Sequence, residues 1–166
     1  SSVGGKTAIN LPAGKNLGGA FYQPSLVICD TDTLNTLPAD IYTDGCAEVI
    51  KYGILFDDTL FQHLEEFGVE FDREYVISRC ISLKRDIVAK DERDIHTRKL
   101  LNFGHTVAHA IEKCSQYCIS HGKAVAIGMA AITKSAAACD ICSAETYQRI
   151  RNILQSFGLP ISLDIP

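Results

Sequence analysis

The stretch NFGHTVAHAIE, from Asn102 to Glu112, sets two histidines four residues apart in a segment with little charge. At about 100° per residue, a helix here puts Asn102, His105 and His109 on one narrow face and Leu100, Phe103, Val107 and Ile111 on the opposite one. Polar groups turned into a protein need partners, because a buried donor or acceptor left unsatisfied costs about 1–3 kcal/mol. Core hydrogen bonds, a metal or a substrate could each supply them. Histidines one helical turn apart are a spacing that zinc sites use. His121, just ahead of Gly122 at the mouth of an Ala-rich helix, can point into a cleft and adds a third imidazole. A carboxylate ligand would complete a catalytic site with one open position. Glu48 is the best candidate, because CAEVIKYG is otherwise apolar on that turn, and Lys51 follows one turn later. The plain alternative for Glu48 and Lys51 is a surface ion pair worth about 0.2–0.5 kcal/mol. His63 and His96 stand among charged residues and read as surface histidines.

Two further pieces bear on anions. Gly4-Gly5-Lys6-Thr7 resembles the end of a phosphate-binding loop, although no strand is readable ahead of it, and Gly14-Lys15-Asn16 repeats glycine plus lysine. Flexible lysine loops suit anionic ligands; solvated turn lysines are the equal alternative. The seven cysteines, an odd number without a framework, read as reduced thiols. Cys139 and Cys142 form a C-x-x-C, but within a helical run rather than a strand-to-helix turn, which argues against a redox or zinc role.

The elements that must position these residues are mostly helical. A chain of 166 residues is of single-domain size. With 46% hydrophobic residues, 22% charged residues and a net charge of -4, it has no nucleic-acid footprint. No apolar run reaches the ~18 residues of a membrane span. The opening SSVGGKTAIN is not a secretory signal, and a cytoplasmic location is expected. The first forty residues, rich in Gly, Pro, Asn and Thr, predict loops and short extended pieces, with one buried strand from Leu26 to Cys29 ending at Asp30. From Ile41 the pattern is helical, with a break near Asp57 and Asp58. HGKAVAIGMAAITKSAAACD predicts a helix buried among others, and a last helix stops at Gly158 and Pro160. One strand cannot form a stable sheet alone, so the front end is expected to pack on the helices or to belong to a sheet outside this chain.

Taken together, SSVGGKTAIN, GKNLGGAFYQP, TLNTLP, GCAEVIKYG, RKLLNFGHTVAHAIE and HGKAVAIGM resemble the 3-dehydroquinate synthases. The resemblance implies a mainly α fold: a multi-helix metal- and substrate-binding domain over 41–166, preceded over 1–40 by a β/loop remnant of a nucleotide-binding domain. It places the metal ligands, for Zn2+ or Co2+, at Glu48, His105 and His121. It assigns His109, with Asn102, to the substrate phosphate, Lys84 and Arg98 to the substrate carboxylate, and Lys51 to the reacting hydroxyls. Lys6 and Asn16 match phosphate and cofactor loops, while Lys15 and Thr33, Leu34, Asn35 and Thr36 match positions that touch NAD. The implied reaction turns a heptulosonate phosphate into 3-dehydroquinate, using NAD catalytically; a homodimer is implied, and the 166-residue piece is expected to be inactive alone. Lys123 and Ala108 depart from the family's usual glutamate and glycine. Sister sugar-phosphate cyclases and metal-dependent polyol dehydrogenases share these features. Arg98, Asn102 and His109 favour the synthase over the sister cyclases, and carboxylate and phosphate contacts favour it over the dehydrogenases. A non-catalytic helical interaction domain would have no reason to keep three ligands aligned.

Overall fold

The computed structural model describes residues 2–163, apart from the side chain of Lys15. A hairpin of β1 (Lys6–Leu11) and β2 (Gly14–Phe21) is followed by a 3-10 turn (Thr31–Thr36) and six α-helices. These are α1 (Ala39–Phe56), α2 (Asp58–Phe67), α3 (Arg73–Lys90), α4 (His105–Cys114), α5 (His121–Ala138) and α6 (Ala144–Ser156). The expected mainly helical domain with a short β and loop front end is what forms.

Helix α5 is the axis of the domain, with α1, α4 and α6 packed around it. Its run from Ala124 to Ala130 is buried throughout, as its lack of charge required. Ile50, Leu60, Leu64, Val76, Val125, Met129 and Leu154 are fully enclosed in the core. Truncating one of them, as in Leu154→Ala, would cost about 2–5 kcal/mol through lost burial and the cavity left behind.

The break at Asp57 has a clear cause. Its extended backbone (φ -156°, ψ 93°) cannot continue α1, and its carboxylate accepts the Leu60 N–H at 3.1 Å to cap α2. Arg79 of α3 grips the other carboxylate oxygen, so one residue joins three helices. At the far end α6 gives way to Gly158, whose φ of +69° favours glycine.

Four expectations change. Leu26 to Cys29 is neither strand nor buried: Leu26 and Ile28 are 75% and 81% exposed. The sheet is instead the antiparallel hairpin, paired Lys6 to Phe21 through Ile9 to Gly18. Gly4-Gly5-Lys6-Thr7 therefore leads into a strand and not a helix, which removes the phosphate-loop context, and Lys15 and Asn16 lie in β2 and not in a free loop. The helix drawn through Asn102 is also broken. Residues Thr97–Asn102 form a 3-10 turn, Gly104 turns left-handed at φ +80°, and α4 starts at His105. The fourth concerns His63, which is not a plain surface residue: its ring lies 4.6 Å from Phe67 and 4.9 Å from Tyr75, centroid to centroid. His96 is exposed, as expected.

All seven cysteines are free thiols. Cys139 and Cys142 fall in the turn between α5 and α6, not inside a helix. Among the described residues, no helix is long and apolar enough to cross a membrane.

Candidate metal centre and active site

Three elements bring one carboxylate and two imidazoles together. Glu48 lies in the middle of α1, while His105 and His121 are the first residues of α4 and α5. Backbone contact fixes these starts. A Cβ on Gly122 would sit 1.9 Å from the Asp44 carbonyl oxygen, and one on Gly128 would sit 2.1 Å from that of Gly104. Only glycine permits such approach of main chain to main chain. Asp44, one turn ahead of Glu48, then accepts the N–H groups of Gly122 (3.0 Å) and Lys123 (2.9 Å) and the Ser120 hydroxyl. This cap puts a negative charge at the positive end of α5 and sets His121 over α1.

His105 Nε2 is 3.5 Å and His121 Nε2 3.7 Å from the same oxygen, Glu48 Oε1. The three ligand atoms all lie within 4.8 Å of one another. Ligands held at about 2.0–2.1 Å around a tetrahedral zinc are themselves about 3.3 Å apart, so the two carboxylate–imidazole distances are near that spacing and the whole set would draw together to close on an ion. The other ring nitrogens point to acceptors: His105 Nδ1 is 3.2 Å from the Phe103 carbonyl and His121 Nδ1 3.3 Å from Glu112 Oε1. A carbonyl can only accept, so the His105 Nδ1 carries the proton and Nε2 offers its lone pair.

Glu48 Oε1 is shielded from solvent and lacks a hydrogen-bond partner among the described residues. Its other oxygen accepts from Lys51 Nζ at 2.7 Å. Burial alone would raise the Glu48 pKa, but His121, Lys51 and His105 outweigh it and hold the carboxyl at about 2. A carboxylate ionised at neutral pH, with one oxygen lacking a hydrogen bond and lying between two imidazoles, is a donor set that a divalent cation fits. Burial and the nearby Lys51 push the His105 pKa down, which keeps the ring in the neutral form a metal needs. Glu48 pulls that of His121 upward against burial.

Cations gather beside this cluster. Lys51, only 2% exposed, is no surface ion-pair partner; burial depresses its pKa although Glu48 opposes the shift. Lys84 and Glu48 line one cavity of about 310 Å3, with Tyr52 and Cys80 in its wall. The Lys84 pKa is lowered first by burial, then by Arg98, with Lys51 and Lys6 adding to the repulsion. Arg98 is buried, its two terminal nitrogens donating to the carbonyls of Gly4 (2.8 Å) and Glu92 (2.6 Å). Glycine is favoured at Gly4, whose φ of +106° is one that L side chains rarely adopt. The Asp91 carboxylate shapes this loop by accepting the N–H groups of Ile95, His96 and Arg98 at 2.7–3.0 Å. Lys6 reaches the same loop through an ion pair with Asp94.

Not every expected residue joins the cluster. His109 stands next to it, its ring centroid 5.5 Å from His105 and 6.4 Å from His121, on an exposed part of α4. Asn102 is exposed at the end of its 3-10 turn and shares no α-helical face with the histidines. Asn16 and Lys6 line a hollow of about 600 Å3 on the hairpin. Thr33, Leu34, Asn35 and Thr36 form their own turn, where Asn35 accepts from Arg73. The side chain of Lys15 lies outside the described residues. Asp44, Asp91 and Glu112 escaped the sequence reading. The one available signal was Glu112, an acid at i+7 from His105 on the histidine face.

Fold and site thus define a class: a helical domain with a glutamate and two histidines arranged for a divalent metal, next to the cationic side chains of Lys51, Lys84 and Arg98. The match to known proteins is narrower. Residues 45–166 match the family 3-dehydroquinate synthase C-terminal, and residues 1–44 match 3-dehydroquinate synthase N-terminal. The chain belongs to the 3-dehydroquinate synthase family. Over 99% of its length it is 45% identical to the 3-dehydroquinate synthase of Thermodesulfovibrio yellowstonii and 46% identical to that of Clostridium perfringens. It spans about half the length of these curated relatives, 48% and 49% respectively. Among solved structures, the 2-epi-5-epi-valiolone synthase of Streptomyces hygroscopicus subsp. jinggangensis, with NAD+ and Zn2+ bound, aligns with a TM-score of 0.89 at 26% identity. That match covers 98% of this chain and 48% of the other. A 2-deoxy-scyllo-inosose synthase complexed with carbaglucose-6-phosphate, NAD+ and Co2+ gives 0.87 at 29% identity, over 99% and 46%.

Proposed function

We propose that this protein is a 3-dehydroquinate synthase, converting 3-deoxy-D-arabino-heptulosonate 7-phosphate into 3-dehydroquinate with loss of phosphate. The observation that carries the reading is the ionised Glu48 Oε1, without a hydrogen bond among the described residues, facing two imidazole Nε2 atoms beside the Lys51, Lys84 and Arg98 cations. A non-catalytic scaffold would gain nothing from leaving that oxygen unsatisfied. Identity near 45% to synthases, against 26–29% to the two cyclase structures, favours this activity over the sister reactions.

Glu48, His105 and His121 are the residues that would hold Zn2+ or Co2+. When bound, the metal acidifies a substrate hydroxyl, and NAD, for which Lys15, Asn16 and the Thr33–Thr36 turn are this chain's contacts, supplies the hydride acceptor and donor. The chain's own work is positioning. Lys84 and Arg98 bind the substrate carboxylate; Arg98 still has free N–H groups after its two main-chain bonds, because a guanidinium carries five. Lys51, held by Glu48 Oε2, presents its remaining N–H groups to the ring hydroxyls. His109 and Asn102, with Lys6, neutralise the phosphate, so that the leaving group is held in line when the neighbouring proton is lost. The domain division at residues 40 and 41 and a homodimeric assembly belong to the same proposal.

The test is phosphate release from the heptulosonate substrate by the full-length protein with NAD and zinc. Turnover that is lost on chelation and restored by Zn2+ or Co2+ is the expected result. A folded, metal-loaded protein that releases no phosphate refutes the assignment.

A further inference from the structure

We propose that Glu112 is a positioning residue of the metal centre: its buried carboxylate accepts the His121 Nδ1–H, fixes the ring with Nε2 toward Glu48, and through its charge makes that nitrogen a stronger donor. The inference rests on the metal-centre reading above.

The two histidines differ in how they are held. His105 is oriented by a main-chain acceptor, the Phe103 carbonyl at 3.2 Å, and its side chain is only 13% exposed. His121 is 40% exposed at the very start of α5, where packing fixes the ring less. It therefore needs a side chain to choose its rotamer and tautomer. Glu112 Oε1 lies 3.3 Å from His121 Nδ1, and the Glu112 side chain is 6% exposed. A carboxylate is costly to bury, and the residues beside it on α4, Ala108 and Ile111, are core residues. One group it meets there is the His121 imidazole. Metal-bound histidines generally donate their second N–H to a carboxylate or carbonyl, and losing that partner weakens metal binding about 10–100-fold. The i, i+4, i+7 spacing of His105, His109 and Glu112 puts a ligand and the support of a second ligand on one helix face, so α4 serves both histidines.

The experiment measures zinc affinity by chelator competition in the full-length protein and its Glu112→Ala and Glu112→Gln variants, with melting temperatures of the metal-free forms. The ring 15N shifts of His121 in the zinc-loaded protein report which nitrogen keeps its proton. Glu112→Ala is expected to lose about 10–100-fold in zinc affinity and the Nδ1–H preference. Glu112→Gln keeps an acceptor but no charge, and is expected to lose at least about fivefold. A lowered melting temperature with zinc affinity within about twofold of the parent overturns the role of Glu112 alone. If Glu112→Ala does not fold, unchanged affinity in Glu112→Gln overturns it equally. A parent protein that binds no stoichiometric zinc overturns the metal centre, and this inference with it.

Discussion

Replacing Gly128 by alanine should damage the metal centre without touching a ligand. The added Cβ would lie 2.1 Å from the Gly104 carbonyl oxygen and 3.1 Å from the Gly104 Cα. Both are main-chain atoms and cannot swing aside. Restoring ordinary contact requires α5 to move from the Gly104 turn by about 1 Å, and overpacking of this kind costs about 1–3 kcal/mol. Gly104 directly precedes His105, and His121 rides on α5 itself, so the shift opens the gap between two ligands. Ligand sets tolerate about 0.5 Å of misplacement, and zinc affinity should fall at least about tenfold. Gly45→Ala is the matched control: it lies inside α1, its Cβ would meet nothing within 4 Å, and it should be neutral or stabilise by up to about 1 kcal/mol. Urea midpoints and chelator competition on both variants measure the two effects. Equal stability of Gly128→Ala and the parent, with zinc affinity unchanged, would show that the glycine contact does not set the site.

Three more outcomes follow from the same geometry. His109→Ala should leave zinc content intact and cut turnover about 100-fold or more, whereas His105→Ala should lose both; zinc stoichiometry and kcat measured side by side decide, and zinc loss in the His109 variant contradicts the assignment. Asp57 is held below the usual carboxylate range, because the Arg79 contact and the Leu60 N–H outweigh burial. A depressed carboxyl stabilises the fold above its unfolded pKa and loses that contribution as pH falls through its folded one. The stability gap between parent and Asp57→Asn, read from urea midpoints, should therefore be full at about pH 6 and shrink below about pH 4. The chain of residues 1–166 on its own should release no phosphate from the heptulosonate substrate even with NAD and zinc, since it spans only about half the length of its curated relatives; measurable release would overturn this.

Much of the domain is written in local pattern. Helical periodicity from Ile41 onward, the aspartates at 57 and 58 and the stop at Gly158 are short-range signals, and each appears in the fold because caps, turns and apolar spacing act over a few residues. The types of the candidate metal ligands were legible for the same reason: imidazoles and a carboxylate in otherwise greasy segments demand partners. The hairpin was illegible because every residue of β1 is exposed. Without a buried face there is no alternation of apolar and polar residues to read.

Which histidine of the stripe would meet the metal was a tertiary decision. His105 and His109 are equivalent in spacing, and sequence alone did not distinguish them; only the resemblance did. The choice falls to His105 because Gly104 lets the chain turn against α5, Gly122 and Gly128 let α5 close on main-chain carbonyls, and Asp44 caps α5 so that His121 arrives over Glu48. The burial of Lys51 and Arg98, and the service of Glu112 to a histidine on another helix, depend likewise on contacts between residues far apart in the chain. Sequence determined which groups were available for chemistry; the packing of glycine against backbone determined which of them lie within 4.8 Å of one another.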